Sequence, residues 1–344
     1  MTHSIKFIIF VPLFTLLLGC ENKPSPEHLK HVQSVLKQTA QNMVFVKGGS
    51  FMMGDSGDGE SLENFTVSEE EYAVKTITLD SYSINKYETT WGELVTYLKD
   101  VGRYEQYEYD RGYRDSPYIA VSDPASPNYY KRAALSPNWY EAEGYCLWLA
   151  DKTGLPYALP TEAQWEYAAR SRGERVRYAT QDGMTLVLDD YLFEGDWVWD
   201  PVNKHKDTYR YAFDPLAMPK GNAFGMTANL YDSYTRIVGS YPPNKLGIHD
   251  MTGNANEWVR DWYEKDHYKK MDDVNPQGPA EPKHWQKRYN SDEKIPSKVR
   301  RDWVGAASVP GTSRGALYGR GRGAITALDV GFRCALNSDK PPAH

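Results

Sequence analysis

Cysteine is scarce in this chain: three residues in 344, at Cys20, Cys146 and Cys334. No thiol lies between the last two, so that whole stretch offers neither a sulfur ligand nor a cysteine nucleophile. Histidine is scattered (His3, His28, His31, His205, His249, His267, His284, His344). From Met43 onward no HxxxH or His-x-x-Glu spacing occurs, which excludes the helix-borne zinc motifs. A P-loop, a dinucleotide fingerprint and a readable Ser/His/Asp set are also missing. So is an excess of positive charge: the net charge of −6 argues against a general polyanion binder, and nucleic acid is not an expected partner. The basic run Lys283–Arg301 is diluted by Glu281, Asp292 and Glu293 and reads as a solvated loop. Long apolar runs are lacking too. The one present, Phe7–Leu18 behind Lys6, falls short of the about 20 residues that span a bilayer and suits the h-region of a signal segment.

What the chain does contain is enough apolar matter, 40%, for a sizeable core in one large domain or two small ones. With 26 Tyr, 10 Trp, 27 Gly and 21 Pro, it suits a loop-rich, aromatic-cored fold better than a helical bundle. Glu21–Gln41 is polar, contains Pro24 and Pro26, and reads as a tether with room for one short helix at His28–Thr39. Alternation of Val44, Val46, Phe51 and Met53 around Gly48-Gly49 predicts strand, turn, strand, and Thr76–Asn85 alternates again. Trp91, Leu94 and Leu98 give Thr89–Val101 a helical face. Ala142, Tyr145, Cys146 and Leu149 predict a helix over Trp139–Thr153, stopped by Gly154. Thr161 with Gln164 forms a capping box for a second one. Glu162 and Glu166, four apart on it, are either a general acid/base pair or structural carboxylates near a helix N-terminus. The aromatic and acidic stretch within Arg175–Pro219 is either an ordered recognition insertion or a lid over local core.

The densest chemistry lies in Gly247–Trp262, GIHDMTGNANEWVRDW. Asp250, Asn254, Asn256, Glu257 and Asp261 crowd oxygen ligands around the Gly253-Asn254 turn signal. Two readings fit: a polar turn capping a buried aromatic strand, or a site for a hard cation.

This run resembles the "GLYDMxGNxWEWxxDWY" signature of the formylglycine-generating-enzyme (sulfatase-modifying-factor) family. MVFVKGGSFMMGD at Met43–Asp55, YETTW at Tyr87–Trp91, Trp139–Gly173, PPNKLGIHDM at Pro242–Met251 and GFRCA at Gly331–Ala335 follow in the family's order. The resemblance implies an α+β fold with a C-type-lectin-like core, short antiparallel strands, two main helices and much irregular chain. It implies calcium held by Asp250 and Glu257 side chains with Gly253 and Ala255 carbonyls, and a looser second calcium site at Asn222, Ala223 and Asp232. It also implies a disulfide between Cys146 and Cys334, closing a loop whose constraint is worth about 4–5 kcal/mol.

Formylglycine generation in that family uses a copper-binding cysteine pair near the C-terminal end, and soft Cu(I) requires sulfur ligands. This chain has no such pair, so no copper is expected. Where relatives carry Arg-Gly-Gly-Ser, it reads RRDWVGAAS (Arg300–Ser308). Downstream, Arg314, Arg320 and Arg322 are either anion or partner contacts or members of internal ion pairs. Leu17-Leu18-Gly19-Cys20 resembles a bacterial lipobox, which implies cleavage before an acylated Cys20 and an oxidising compartment. The expected layout is a signal peptide at 1–19, a lipid-anchored tether at 20–41, the family domain at 42–338 with an insertion at about 184–218, and a tail at 339–344. The expected role is a lipoprotein of the bacterial outer membrane facing the periplasm, binding a protein partner. Immunity to a type VI secretion phospholipase effector is the concrete version. The alternative is a periplasmic metal-dependent oxidase or maturation enzyme of the same family.

Overall fold

The computed structural model describes residues 24–55, 74–104, 129–134, 138–176, 178–183, 235, 237–240, 243–287, 292–302, 320–324 and 330–341. Helix α1 (Pro26–Gln41) is capped by Ser25, whose hydroxyl accepts from the His28 amide, and starts on Pro26 with its pre-set φ. Val32, Val35 and Thr39 are its buried positions. The stretch expected as a tether is therefore, from Pro26 on, an integral helix. Its apolar residues recur at helical spacing inside a polar composition, and composition alone concealed them.

Strands β1 (Met43–Val46) and β2 (Gly49–Met53) run along β4 (Tyr82–Asn85) and β3 (Lys75–Leu79) respectively, all antiparallel. The ribbon bends at Gly48, where a Cβ would sit 2.3 Å from the Leu79 carbonyl oxygen. Only glycine permits that approach. Helix α2 (Trp91–Asp100) opens with a Thr90/Glu93 capping box. Helix α3 (Trp139–Thr153) ends on left-handed Gly154, and α4 (Glu162–Ala169) begins with the Thr161/Gln164 box. Both sequence expectations hold, and α1 and α2 join the two predicted main helices.

Between α3 and α4 lies β5 (Tyr157–Ala158); β6 (Glu257–Trp262), β7 (Trp285–Lys287), β8 (Lys294–Arg301), β9 (Arg320–Ala324), β10 (Gly331–Phe332) and β11 (Ala335–Leu336) follow. One sheet has the order β1-β4-β11-β5; another runs β10-β6-β8-β7 with β9 also on β8. The β10–β6 pair is parallel, the other named strand pairs antiparallel. Much of the run read as a solvated basic loop is thus β8, with Lys298 and Arg301 buried. Arg301 is matched by Glu162 and Glu166 and Lys298 by the Trp139 and Trp262 rings, all from other elements, which no local count of charge reveals.

Two apolar clusters form the interior. One gathers β2, β3 and α4 around Trp165; the other gathers α1, α2 and α3 around Trp258 and Phe332. Cys146 and Cys334, both fully buried, form a disulfide in the second.

Candidate functional site

The turn before β6 is wound tightly. Asp250, Gly253 and Asn254 all have positive φ (60°, 111° and 67°), a region that costs non-glycine residues energy. The winding turns polar groups inward, and Asp250, Asn254 and Glu257 are all buried. Glu257 meets Arg333 from the strand junction at GFRC: guanidinium Nε donates at 3.0 and 2.8 Å and Nη2 at 2.6 Å. Trp165 Nε1 adds a bond of 2.9 Å to the same carboxylate. Asn254 Nδ2 donates to Glu88 Oε2 at 3.0 Å, and the Gly253 amide donates to Asp302 Oδ2 at 2.6 Å. Asp250 accepts from the Gly239 amide.

Among the described residues, four buried carboxyl groups, Glu88, Asp250, Glu257 and Asp302, therefore lie around the Arg333 guanidinium. Glu88 Oε1 and Asp302 Oδ1 are buried and have no hydrogen-bond partner among the described residues. Burial pushes the Glu88 carboxyl well above the usual carboxylate range, and repulsion from Asp250 adds to it. Burial likewise raises Asp302, and the Gly253 amide, Arg301 and Arg333 only partly oppose it. Carboxyl groups gathered in a low-dielectric interior favour their protonated forms unless a cation stands beside them.

Arg301 belongs mainly to a second buried network. It bridges Glu162 Oε1 at 2.9 Å and Glu166 Oε2 at 3.0 Å, while Glu166 Oε1 holds Arg170 at 2.8 Å. Tyr268 donates to Glu162 at 2.7 Å, and the Gly54 amide to Glu166 at 2.8 Å. These two glutamates are structural carboxylates with committed lone pairs, one of the two readings the sequence allowed. On the far face of β6, Lys298 Nζ lies between the Trp139 and Trp262 rings, 3.8 and 3.7 Å from their centroids. Burial lowers that amine to about 8, partly opposed by Asp261 and Glu143.

Of the residues named for calcium, Asp250, Gly253 and Ala255 lie in the turn before β6 and Glu257 is the first residue of that strand. Their donor chemistry, all oxygen, suits a hard cation. Among the described residues no group of three or more His, Cys, Asp or Glu is arranged to hold a metal ion. The reason is visible at Glu257, whose oxygens are taken by Arg333 and Trp165. Asn222, Ala223, Asp232, Cys20, Arg314 and the whole of the 184–218 insertion lie outside the described residues. Arg320 and Arg322 fall on β9, in register with Arg301 and Val299. Glu88, Asp302 and Arg333 were not singled out from sequence. Glu88 and Arg333 were nevertheless in view, inside YETTW and GFRC.

A family profile, the sulfatase-modifying factor enzyme 1-like domain, matches residues 29–338. The chain belongs to the sulfatase-modifying-factor family. Within it, the formylglycine-generating enzyme of Streptomyces coelicolor is 27% identical over 334 residues, covering 88% of this chain and 91% of that one. The serine/threonine-protein kinase Pkn1 of Chlamydia trachomatis is 29% identical over 230 residues, 66% of this chain. The chain spans about three-tenths of the kinases it matches. Among solved structures, PvdO from Pseudomonas aeruginosa is 25% identical with a TM-score of 0.51, covering 86% of this chain and 93% of that one. In this sulfatase-modifying-factor domain the start of the family match, residue 29, falls inside α1. That agrees with α1 being part of the fold.

Proposed function

We propose that this sulfatase-modifying-factor domain is a lipid-anchored, periplasm-facing accessory protein that binds a protein partner and does not generate formylglycine. One observation carries the reading: beyond Cys20 the chain has two cysteines, and both are consumed in the buried Cys146–Cys334 disulfide. No thiolate pair remains for copper, and oxygen or nitrogen ligands do not replace sulfur for a soft metal. Acylated Cys20 supplies the anchor, in the outer membrane, and the aromatic and acidic insertion at 184–218, with Arg314, Arg320 and Arg322, the recognition surface. A toxic effector, such as a type VI secretion phospholipase, is the class of partner we favour. Calcium enters as part of this reading, bound by Asp250 and the Gly253 and Ala255 carbonyls in competition with Arg333 for Glu257.

A second reading, a periplasmic metal-dependent oxidase or maturation enzyme, is favoured by the likeness to PvdO along 93% of that chain. Elemental mass spectrometry and thiol titration on the purified protein separate the two. Calcium without copper or iron, and no free thiol after Cys20, are expected for the accessory protein. Stoichiometric copper or iron would replace it with the enzyme. Deleting Leu186–Pro215 should then abolish partner capture while leaving the melting temperature nearly unchanged.

A further inference from the structure

Three helix ends meet at one carboxylate. Asp100, at the end of α2, accepts from His28 Nε2 at 3.1 Å near the start of α1 and from Trp148 Nε1 at 2.9 Å. Lys152 Nζ, near the end of α3, stands 2.8 Å from it. Around this hub three large apolar side chains face solvent: Leu29 beside His28 (46% exposed), Val101 beside Asp100 (41%) and Leu155 just past Lys152 (42%). Lys30 and Lys99 are exposed at the same end. Singly such residues mean little, but three gathered at one end of a helix layer call for a partner.

The chain itself indicates which partner. Cys20, the residue acylated in that reading, lies just before α1, and Pro26 is already helical. The step from position 20 to position 26 spans at most about 20 Å, even fully extended. Because α1 is packed into the core through Val32, Val35 and Thr39, this short step, and no long tether, sets the distance.

We infer that the end of the domain bearing Leu29, Val101 and Leu155 rests on the surface of the bilayer that anchors the chain. The three apolar side chains enter the headgroup region and Lys30 and Lys99 meet anionic lipid. The domain is thereby held in one orientation. This inference rests on the anchoring reading given above.

The test uses the mature acylated chain, beginning at Cys20, in vesicles of phosphatidylethanolamine and phosphatidylglycerol that carry a nitroxide-headgroup lipid. A fluorophore is placed through Val101→Cys, through Leu155→Cys, or through Val274→Cys, an exposed site beside strand β3 in the other half of the core. Flotation with the vesicles reports the anchor, and quenching reports the orientation. Quenching several-fold stronger at 101 and 155 than at 274 is expected. Replacing Leu29, Val101 and Leu155 by Glu should flatten a matching gradient read from Lys99→Cys without preventing flotation. Ten Gly/Ser residues inserted before Ser25 should flatten it as well. Equal quenching at all sites on a floating protein overturns the orientation and leaves the anchor standing. A chain that does not float overturns both.

Discussion

Arg333 illustrates how much rests on single side chains here. Its guanidinium neutralises Glu257 and also donates to the Asn85 and Lys86 carbonyls, at 3.2 and 3.3 Å. Arg333→Met strands a buried carboxylate, and the expected loss is about 3–5 kcal/mol, read from urea midpoints. Restoring neutrality with Glu257→Gln in the same chain should recover part of it. Asp302 behaves in the opposite sense. It sits at φ 60°, a left-handed conformation glycine favours, at the place where the family resemblance has glycines. Its folded-state pKa is raised above the unfolded value, so it supports the fold fully only below the unfolded value of about 4. That support is lost as pH rises through the folded pKa. Asp302→Asn keeps an acceptor for the Gly253 amide and tolerates the backbone. Its stability should exceed that of the native chain at neutral pH, with the difference shrinking as pH falls. Equal thermal midpoints of both proteins at pH 7.5 would refute the assignment.

At the scale of elements, α1 is packed through Val32, Val35 and Thr39, and its first turn is tied down by the His28 bond to Asp100. Burial of that carboxyl pushes its pKa up, but bonds from Lys152, Trp148 and His28 outweigh this and hold it below the usual range. Asp100→Ala should cost about 2 kcal/mol, and faster hydrogen exchange confined to α1 amides is the sign to look for. Elements were the part of the fold most legible in sequence. The Thr161/Gln164 box, Gly154 and the apolar face of α3 are local signals, and the chain obeys them. The β8 strand and the core role of α1 were not legible. Lys298 and Arg301 look like surface cations until Trp139, Glu162 and Glu166 arrive from more than a hundred positions away and Trp262 from the neighbouring strand. The candidate site divides the same way. Asp250, Gly253, Asn254 and Glu257 are contiguous and were found together, whereas Glu88, Asp302 and Arg333 join them only through long-range pairing.

For the whole molecule, the disulfide connects α3 to the strand junction across 188 residues of sequence. Replacing Cys146 and Cys334 by Ala should destabilise the domain by about 5 kcal/mol on the chain-entropy account. Calorimetry of oxidised and reduced native protein gives an independent measure.

The six residues Gly331–Leu336 have a further consequence, one of timing. They place β10 on β6 and β11 between β4 and β5, and they supply both Arg333 and Cys334. Strand β4, made among the first hundred residues and paired early with β1, therefore lacks its second neighbour until nearly the last codons are read. At bacterial synthesis rates the nascent chain stays incomplete for on the order of tens of seconds. The amino-terminal half must be kept from aggregating through that interval, and a message cut short before codon 331 should yield a protease-sensitive polypeptide with no native core.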